Sequence, residues 1–471
     1  MDNSTIAAIA TPMGGGGIGI IKISGPDALS IAESIFFKID AKSDKPVHLS
    51  DSVVVSSLKS HQLSYGNIVD SSNGRILDEV LLAVMKAPFS YTREDVVEIH
   101  AHGGAFVLKG ILNLVIEKGA RLAEPGEFTK RAFINGRIDL TQAEAVIDII
   151  NARTLTSMDI AASQIKGGLK SQIEDMIEQL LHILAEIEAA IDFPDEVGDA
   201  VNNELALDNI QKHVVLPLKA LIEQYENAHF LRDGLKLVIV GPPNVGKSTL
   251  MNLLVNKDRS IVTSIPGTTR DLIEDTFNLR GFPIVITDTA GFHDTSDPVE
   301  IIGIKKAQEN IENSDLVLFM VDAASKIKHE KRIVFDKIKH KRLIIVLNKT
   351  DLLDSDPRLD LPKEWEDIPR VNISARYNKG IEDLKGMITD SYVKDMPENR
   401  SSIVPNLRHK KALEQSLKTA SSAMEGLRSG RHYELISIDI QSIINFLGEV
   451  TGITTKPDVL DNIFSNFCIG K

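Results

Sequence analysis

Cysteine is nearly absent from this chain. Cys468 is the single thiol among 471 residues. One cysteine cannot close an internal disulfide, so the expected setting is a reducing one, the cytoplasm. No uninterrupted apolar run approaches the roughly 18 residues needed to span a bilayer. The amino-terminal stretch MDNSTIAAIATPMGGGG lacks the basic-then-apolar order of a signal peptide. An excess of basic charge is also missing: 53 Lys and Arg stand against 66 Asp and Glu, a formal net charge of −13. That argues against a surface coated in positive charge for non-specific nucleic-acid binding, and leaves room for a local basic patch. Surface aromatics interleaved with basic residues, a common RNA-recognition device, are not evident either. There is no internal repeat and no low-complexity segment.

What is present falls into three textures. Residues 1–125 alternate short apolar runs with Gly, Asn and Ser. GIGIIKIS (17–24), LSYGNIVD (63–70) and VLLAVMKAP (80–88) read as strands, SNGR as a hairpin turn, and AFVLKGILNLVIEKG (105–119) as a helix. This predicts an α+β domain. Residues 126–231 change period: apolar residues recur at i, i+3, i+4 and i+7, the mark of amphipathic helices, until Pro194 interrupts IDFPDE. Residues 232–392 alternate strands with helices, and each strand is a nearly continuous apolar run, as in a parallel sheet covered on both faces. Residues 393–471 return to helical patterns. The simplest arrangement is a multidomain α+β and α/β protein in which an α/β domain is inserted into a helical bundle. At 471 residues, two or three domains are expected.

The inserted segment carries the clearest chemistry. GPPNVGKS (241–248) fits G-x-x-x-x-G-K-[ST], with an apolar strand before it and a helical stretch after it. Glycines let backbone N–H groups turn inward around phosphates at a helix N-terminus. Lys247 then reaches the β- and γ-phosphates and Ser248 ligates Mg²⁺. DTAG (288–291) follows the strand FPIVIT; Asp288 organises Mg²⁺ through water and the Gly291 N–H senses the γ-phosphate. NKTD (348–351) follows LIIVL. A carboxylate at Asp351 accepts from both N–H donors on the Watson–Crick edge of guanine, a donor pair that adenine lacks. SAR (374–376) stands where GTPases place a backbone contact to guanine O6. Together these motifs predict GTP binding, and the segment resembles a Ras-like P-loop GTPase domain of the translation-factor-related class. In IVTSIPGTTRD (261–271), read as switch I, Thr269 supplies the second Mg²⁺ ligand. Phe292 stands after DTAG, where a water-orienting glutamine is usual, so another residue must orient water. No internal arginine finger is evident. Asn244 offers either a ligand for a charge-neutralising monovalent cation or a loop-shaping side chain.

Other features have competing readings. Gly14, Gly16 and Gly19 fit G-x-G-x-x-G, but a strand follows and no strand clearly precedes them, so a dinucleotide site is not expected. Glu98, His100 and His102 alternate along EIHAHGG and share one strand face, either as a polar face or as metal ligands. The basic runs 326–332 and 407–415 are either solvated helix faces or tRNA contacts. C-I-G-K ends the chain with the spacing of a prenylation box, but its third residue, Gly470, is not aliphatic and Lys471 is a poor final residue.

End to end, the chain resembles the tRNA-modification GTPase MnmE (TrmE) family. The resemblance rests on IATPMGGGGIGIIKISG, PGEFTKRAFINGRIDLTQAEA, IDFPDE, the GTPase motifs and the terminal FCIGK. It implies that the amino-terminal domain is folate-binding-like and holds a 5-formyltetrahydrofolate or 5,10-methylenetetrahydrofolate-type ligand at Lys22, Glu98 and Arg137, with Lys471 reaching in from the carboxyl terminus. Lys22 stands where arginine is also seen, which keeps the charge without the bidentate fork. It implies K⁺ at Asn244, Thr263, Ile265 and Thr268, with K⁺ driving the two G domains of a homodimer together. The guanine-nucleotide set then comprises Asn244, Val245, Gly246, Lys247, Ser248 and Thr249; Thr263, Ser264, Ile265, Pro266, Gly267, Thr268 and Thr269; Asp288, Thr289, Ala290 and Gly291; Asn348, Lys349 and Asp351; and Ser374, Ala375 and Arg376. In VEIIGI, Glu300 becomes the water-positioning carboxylate. His293 stands where relatives often carry arginine in switch II.

The function so implied is GTP hydrolysis coupled, with the FAD-containing partner MnmG (GidA), to adding an aminomethyl or carboxymethylaminomethyl group at C5 of the wobble uridine of certain tRNAs. The one-carbon unit comes from tetrahydrofolate. A ribosome-assembly GTPase acting as a binding factor is the alternative, and a folate-binding regulator whose GTPase reports ligand status is a third reading. The resemblance also makes Cys468 functional, beside the folate and tRNA site and near the dimer interface, where Lys471 and Arg137 would raise its thiolate fraction.

Overall fold

A computed structural model describes residues 4–12, 16–39, 54–193, 202–256, 274–288, 308–325, 329–353, 362–393 and 403–471. The chain divides into two compact units, residues 1–147 with 448–471 and residues 148–447.

The first unit is built on a mixed sheet of β1 (Ile6–Ile9), β2 (Ile18–Ser24), β3 (Phe36–Lys38), β4 (Leu63–Asp70), β5 (Arg75–Met85), β6 (Val96–His102) and β7 (Arg121–Leu122). Their order across the sheet is β3-β4-β5-β6-β2-β1-β7. Strand β4 turns into β5 through the expected Asn73-Gly74 hairpin, and β5 begins five residues before the apolar run that announced it. One sheet face is packed by the helices Ala28–Ile35 and Ala105–Glu117, which bury Ile31, Ile35, Leu108, Ile111 and Val115 against Ile21, Ile23, Leu82 and Ile99. Contrary to expectation, a strand does precede the G-x-G-x-x-G stretch. That strand, β1, pairs antiparallel with β2. Gly16 lies just before β2 and Gly19 within it, so neither opens a helix, which leaves no helix N-terminus there for a pyrophosphate; Gly14 lies outside the described residues.

The carboxyl terminus completes this unit. The helix Pro457–Ser465 sets Phe464 against Phe133 and Phe467, with ring centroids 6.3 and 5.4 Å apart. Leu140 and Ala143 close the cluster. Gly126 takes φ of 68°, and a Cβ there would stand 2.6 Å from the Phe464 carbonyl oxygen, so a side chain is excluded by both backbone and space. Its N–H donates to the Cys468 carbonyl at 3.4 Å, and Lys130 pairs with Asp461 at 2.6 Å.

The second unit joins helices to an α/β sheet of β8 (Leu235–Val240), β9 (Glu274–Leu279), β10 (Phe282–Asp288), β11 (Leu316–Asp322), β12 (Leu343–Asn348) and β13 (Arg370–Asn372). The order is β13-β12-β11-β8-β10-β9. All neighbours are parallel except β9, which pairs antiparallel with β10 through a turn at Arg280 and Gly281. The expected all-parallel sheet is thus a mixed one with an antiparallel edge, a common variation on such sheets. Among the helices, the segment 158–192 is not continuous. Gly167, with φ of 85°, separates Leu155–Ile165 from Gly168–Asp192. One core runs from the helical residues Ile160, Phe230 and Leu231 into the sheet residues Leu237, Ile284 and Leu318.

The helix Leu216–Asp233 leads directly into β8 and is clasped there. His229 Nδ1 bonds the Tyr225 carbonyl at 2.9 Å and Nε2 meets Asp315 at 3.3 Å. The other Asp315 oxygen accepts from the Lys236 N–H at 2.9 Å. Burial opposes charging of His229, yet the hydrogen bond and charge of Asp315 and the Tyr225 carbonyl together raise its pKa.

Two predictions follow from these contacts. Phe464→Ala should cost about 3–5 kcal/mol and expose the tail, read as a lower urea midpoint and faster carboxypeptidase trimming. For His229, a folded pKa above the ordinary value of about 6.5 gives stabilisation that is complete below that value and lost as pH rises through the folded pKa. The gap in urea midpoint between the wild type and His229→Gln should therefore be wide at pH 6 and narrow at pH 9. An equal gap at both would contradict the clasp.

Candidate functional site

The parallel sheet of the second unit delivers its motifs to one edge, because parallel strands all end on the same side. Strand β8 ends at Val240 and the chain turns through Gly241–Pro242 to the helix Lys247–Asn256. Asn244 adopts φ of 58° and Gly246 φ of 99°. A Cβ on Gly246 would stand 2.6 Å from Asn348 Nδ2, so glycine is required by contact as well as by conformation. The Lys247 ammonium donates to the carbonyls of Gly241 and Pro242 at 2.9 and 3.0 Å. Ser248 and Thr249 are exposed on the first helical turn, where a hydroxyl is free to ligate a cation.

Strand β12 ends in Asn348, which is buried. Its Nδ2 donates to the Val245 carbonyl at 2.7 Å, and its Oδ1 accepts from the Ala375 N–H at 2.9 Å. One amide thereby ties the phosphate loop to the SAR loop. Lys349, at φ of 66°, ion-pairs with Asp322 at the end of β11, 2.7 Å away. Asp351 is exposed and accepts from the buried Ser374 hydroxyl at 2.6 Å, which orients the carboxylate at the rim. Arg376 lies over the Tyr377 ring at 5.5 Å. The structure thus brings together Asn244 to Thr249, Asn348, Lys349, Asp351, Ser374, Ala375 and Arg376. Thr263, Ser264, Ile265, Pro266, Gly267, Thr268, Thr269, Thr289, Ala290, Gly291, Phe292, His293 and Glu300 lie outside the described residues, as does the side chain of Asp288.

The first unit gathers a second cluster. Lys22 and Glu98 are direct cross-strand partners on β2 and β6, and Lys22 Nζ stands 3.6 Å from Glu98 Oε1. His100 Nε2 stands 3.4 Å from Glu98 Oε2. The Lys22 ammonium also lies over the rings of Tyr91 and Phe128, at 5.4 and 5.5 Å. The Arg137 guanidinium covers Tyr91 at 4.7 Å, and the Tyr91 hydroxyl meets Thr129 Oγ1 at 3.0 Å. Burial lowers the Lys22 pKa, the Lys471 charge pushes the same way, and Glu98 opposes both. Burial raises that of Tyr91 against the Thr129 hydrogen bond and the Arg137 charge. The four residues Lys22, Glu98, Arg137 and Lys471, far apart in sequence, therefore gather in one cluster.

Tyr91, Phe128 and Thr129 were not singled out by sequence reasoning. YTRED and EFTKR carry no local pattern that marks an aromatic as a floor under two cations. Cys468 is exposed, and it is its carbonyl that anchors the tail. His102 turns from Glu98 to Asp78, 2.8 Å away. Among the described residues, no group of three or more His, Cys, Asp or Glu side chains is placed to hold a metal. Within the basic run 407–415, Lys410 is committed to Glu226 and lies over the Tyr225 ring at 5.0 Å. Among the described residues no helix is long and apolar enough to cross a membrane.

A family model described as the MnmE helical domain matches residues 140–468, and one described as the GTP-binding protein TrmE N-terminus matches residues 5–137. The chain is 46% identical over 477 residues to the tRNA modification GTPase MnmE of Desulfotalea psychrophila, covering 100% of this chain and 99% of that protein. It is 44% identical over 473 residues to the tRNA modification GTPase MnmE of Clostridioides difficile, with 100% and 99% covered. Among solved structures, a variant of Aquifex aeolicus Era bound to GDP·AlF4⁻ aligns at 26% identity with 39% of this chain and 65% of that chain, at a TM-score of 0.26.

The base-recognition geometry predicts a switch in nucleotide preference. Asp351→Asn replaces an acceptor pair with one acceptor and one donor, which suits xanthine. GTP affinity should fall about 100-fold, the equivalent of losing roughly 3 kcal/mol of charged hydrogen bonding, while xanthosine triphosphate binding appears in competition assays.

Proposed function

The chain belongs to the tRNA modification GTPase MnmE family, and from that premise we propose that its GTP hydrolysis is K⁺-activated and depends on dimerisation of its G domains. We further propose that the cycle drives, with an FAD-containing partner of the MnmG (GidA) type, the addition of an aminomethyl or carboxymethylaminomethyl group at C5 of the wobble uridine. The observation that carries the GTPase half is the buried Asn348 amide, which holds the phosphate loop and the base-reading loop in one geometry. In this reading Asp351 and Ala375 select guanine, Lys247 leaves the Gly241 and Pro242 carbonyls for the β- and γ-phosphates, and Ser248 with Thr269 holds Mg²⁺. Asn244, Thr263, Ile265 and Thr268 hold K⁺, which supplies positive charge beside the bridging phosphate oxygen as a guanidinium would elsewhere. Glu300 positions the attacking water, the role that Phe292 cannot fill.

The cluster at Lys22 supports the folate half. Glu98 offers a carboxylate to a 2-amino-4-oxopyrimidine ring, and Arg137 and Lys471 offer charge to the carboxylates of a folate tail. Tyr91, beneath both Lys22 and Arg137, adds an aromatic surface. A reduced folate, when bound, supplies the one-carbon unit; the chain's own residues bind and orient it. GTP hydrolysis is the conformational step and not the carbon chemistry. Cys468 lies at the end of the same tail and contributes at the modification site.

Two variants separate the halves. Glu300→Ala should reduce K⁺-stimulated GTP hydrolysis about 100-fold or more, within the range for a positioned base; hydrolysis at the wild-type rate sinks the assignment. Cys468→Ser should abolish wobble modification in cells while leaving GTP hydrolysis intact. Loss of both activities would make the tail purely structural.

A further inference from the structure

The Glu98 carboxylate is held at both oxygens. Lys22 reaches Oε1 from the neighbouring strand at 3.6 Å, and His100 reaches Oε2 along the same strand at 3.4 Å. The two contacts differ in how they are maintained. Lys22 is drawn toward the Tyr91 and Phe128 rings and feels the Lys471 charge, so its hold on Glu98 is shared with other groups. His100 is fixed by its place in the sheet, between Ile20 on β2 and Leu81 on β5. Two residues further on, His102 is committed to Asp78 and takes no part. His100 is a quarter exposed, as is Glu98, so the pair is accessible from solvent and is not sealed in the core.

Each carboxylate oxygen has two lone pairs. With one on each oxygen engaged, each oxygen keeps an acceptor site, enough for two adjacent N–H donors. We propose that His100 is a positioning residue, which fixes Glu98 Oε2 so that the carboxylate presents two coplanar acceptors to the ring N–H and exocyclic amine of a 2-amino-4-oxopyrimidine. This inference rests on the folate reading of the cleft and names the residue that orients its base-like ring.

The role has a signature that packing alone lacks: a side chain that restores the donor restores the role, and an apolar side chain of similar size does not. The charged groups around His100 are Glu98 and His102 on its own strand, Lys22 on β2, and Asp78 and Glu79 on β5. His102 is tied to Asp78, and Glu79 accepts from the Tyr65 hydroxyl.

The test is equilibrium binding of 5-formyltetrahydrofolate to the full chain, with GTP hydrolysis as the check on folding. His100→Gln, which keeps a donor, should bind as the wild type does. His100→Leu should weaken binding about tenfold, as loss of a hydrogen bond to a charged group does. A Leu variant with wild-type affinity, or a Gln variant that binds as weakly as the Leu variant, overturns the role of His100 and leaves the folate reading standing. A wild type that binds no folate overturns both.

Discussion

The nucleotide site depends on one side-chain amide. Asn348 is buried at the end of β12 and spends its donor on the Val245 carbonyl and its acceptor on the Ala375 N–H. Neither neighbour is close in sequence. The amide can reach both because β8 and β12 flank β11 as parallel strands, so that both end on the same side of the sheet. It also fixes what surrounds it. Gly246 has no room for a Cβ, the phosphate loop curls above it, and the Ser374 hydroxyl beside Ala375 sets the Asp351 carboxylate at the rim. A buried amide with both halves satisfied is rigid, and a rigid clamp makes the guanine and phosphate subsites one site.

The first unit follows a different logic, in which the two ends of the chain make one structure. Phe464 and Phe467 belong to the same core as Phe133 and Leu140, and the Cys468 carbonyl accepts from the Gly126 N–H. Burial of these rings fixes the last residues against the sheet, which brings the Lys471 charge within range of Lys22. Lys22, Arg137 and Lys471 thus gather around Glu98 and the Tyr91 ring, a local concentration of positive charge in a chain of net charge −13.

Legibility in the sequence followed the range of the interactions involved. GPPNVGKS, DTAG, NKTD and SAR were readable because phosphate and guanine chemistry demands particular residues at fixed local spacing, and those of GPPNVGKS, NKTD and SAR meet as expected. The hairpin at Asn73-Gly74 and the buried strands were readable for the same local reason. The misreadings arose where partners are remote. Strand β1 is only four residues long and reveals itself by pairing with β2. The antiparallel edge strand β9 carries a polar start, and its direction is set by the turn at Arg280 and Gly281. Tyr91 and Phe128 come under the Lys22 ammonium only when β2, the segment before β6 and the helix Glu127–Ile134 converge. His100, read from spacing either as part of a polar strand face or as a metal ligand, meets the Glu98 carboxylate, and spacing on a strand face cannot distinguish the two. The clasp of His229 on Asp315 joins residues 86 apart and has no local signature.

The account makes GTP hydrolysis serve a covalent change on tRNA carried out at a separate cleft in the same chain. Mass spectrometry of tRNA nucleosides from cells lacking this chain tests that most directly. The account predicts that wobble uridines lose their C5 aminomethyl or carboxymethylaminomethyl substituent and regain it when the wild-type chain is restored. Full retention of the substituent in its absence would contradict the account and favour a GTP-regulated binding factor, such as one acting in ribosome assembly.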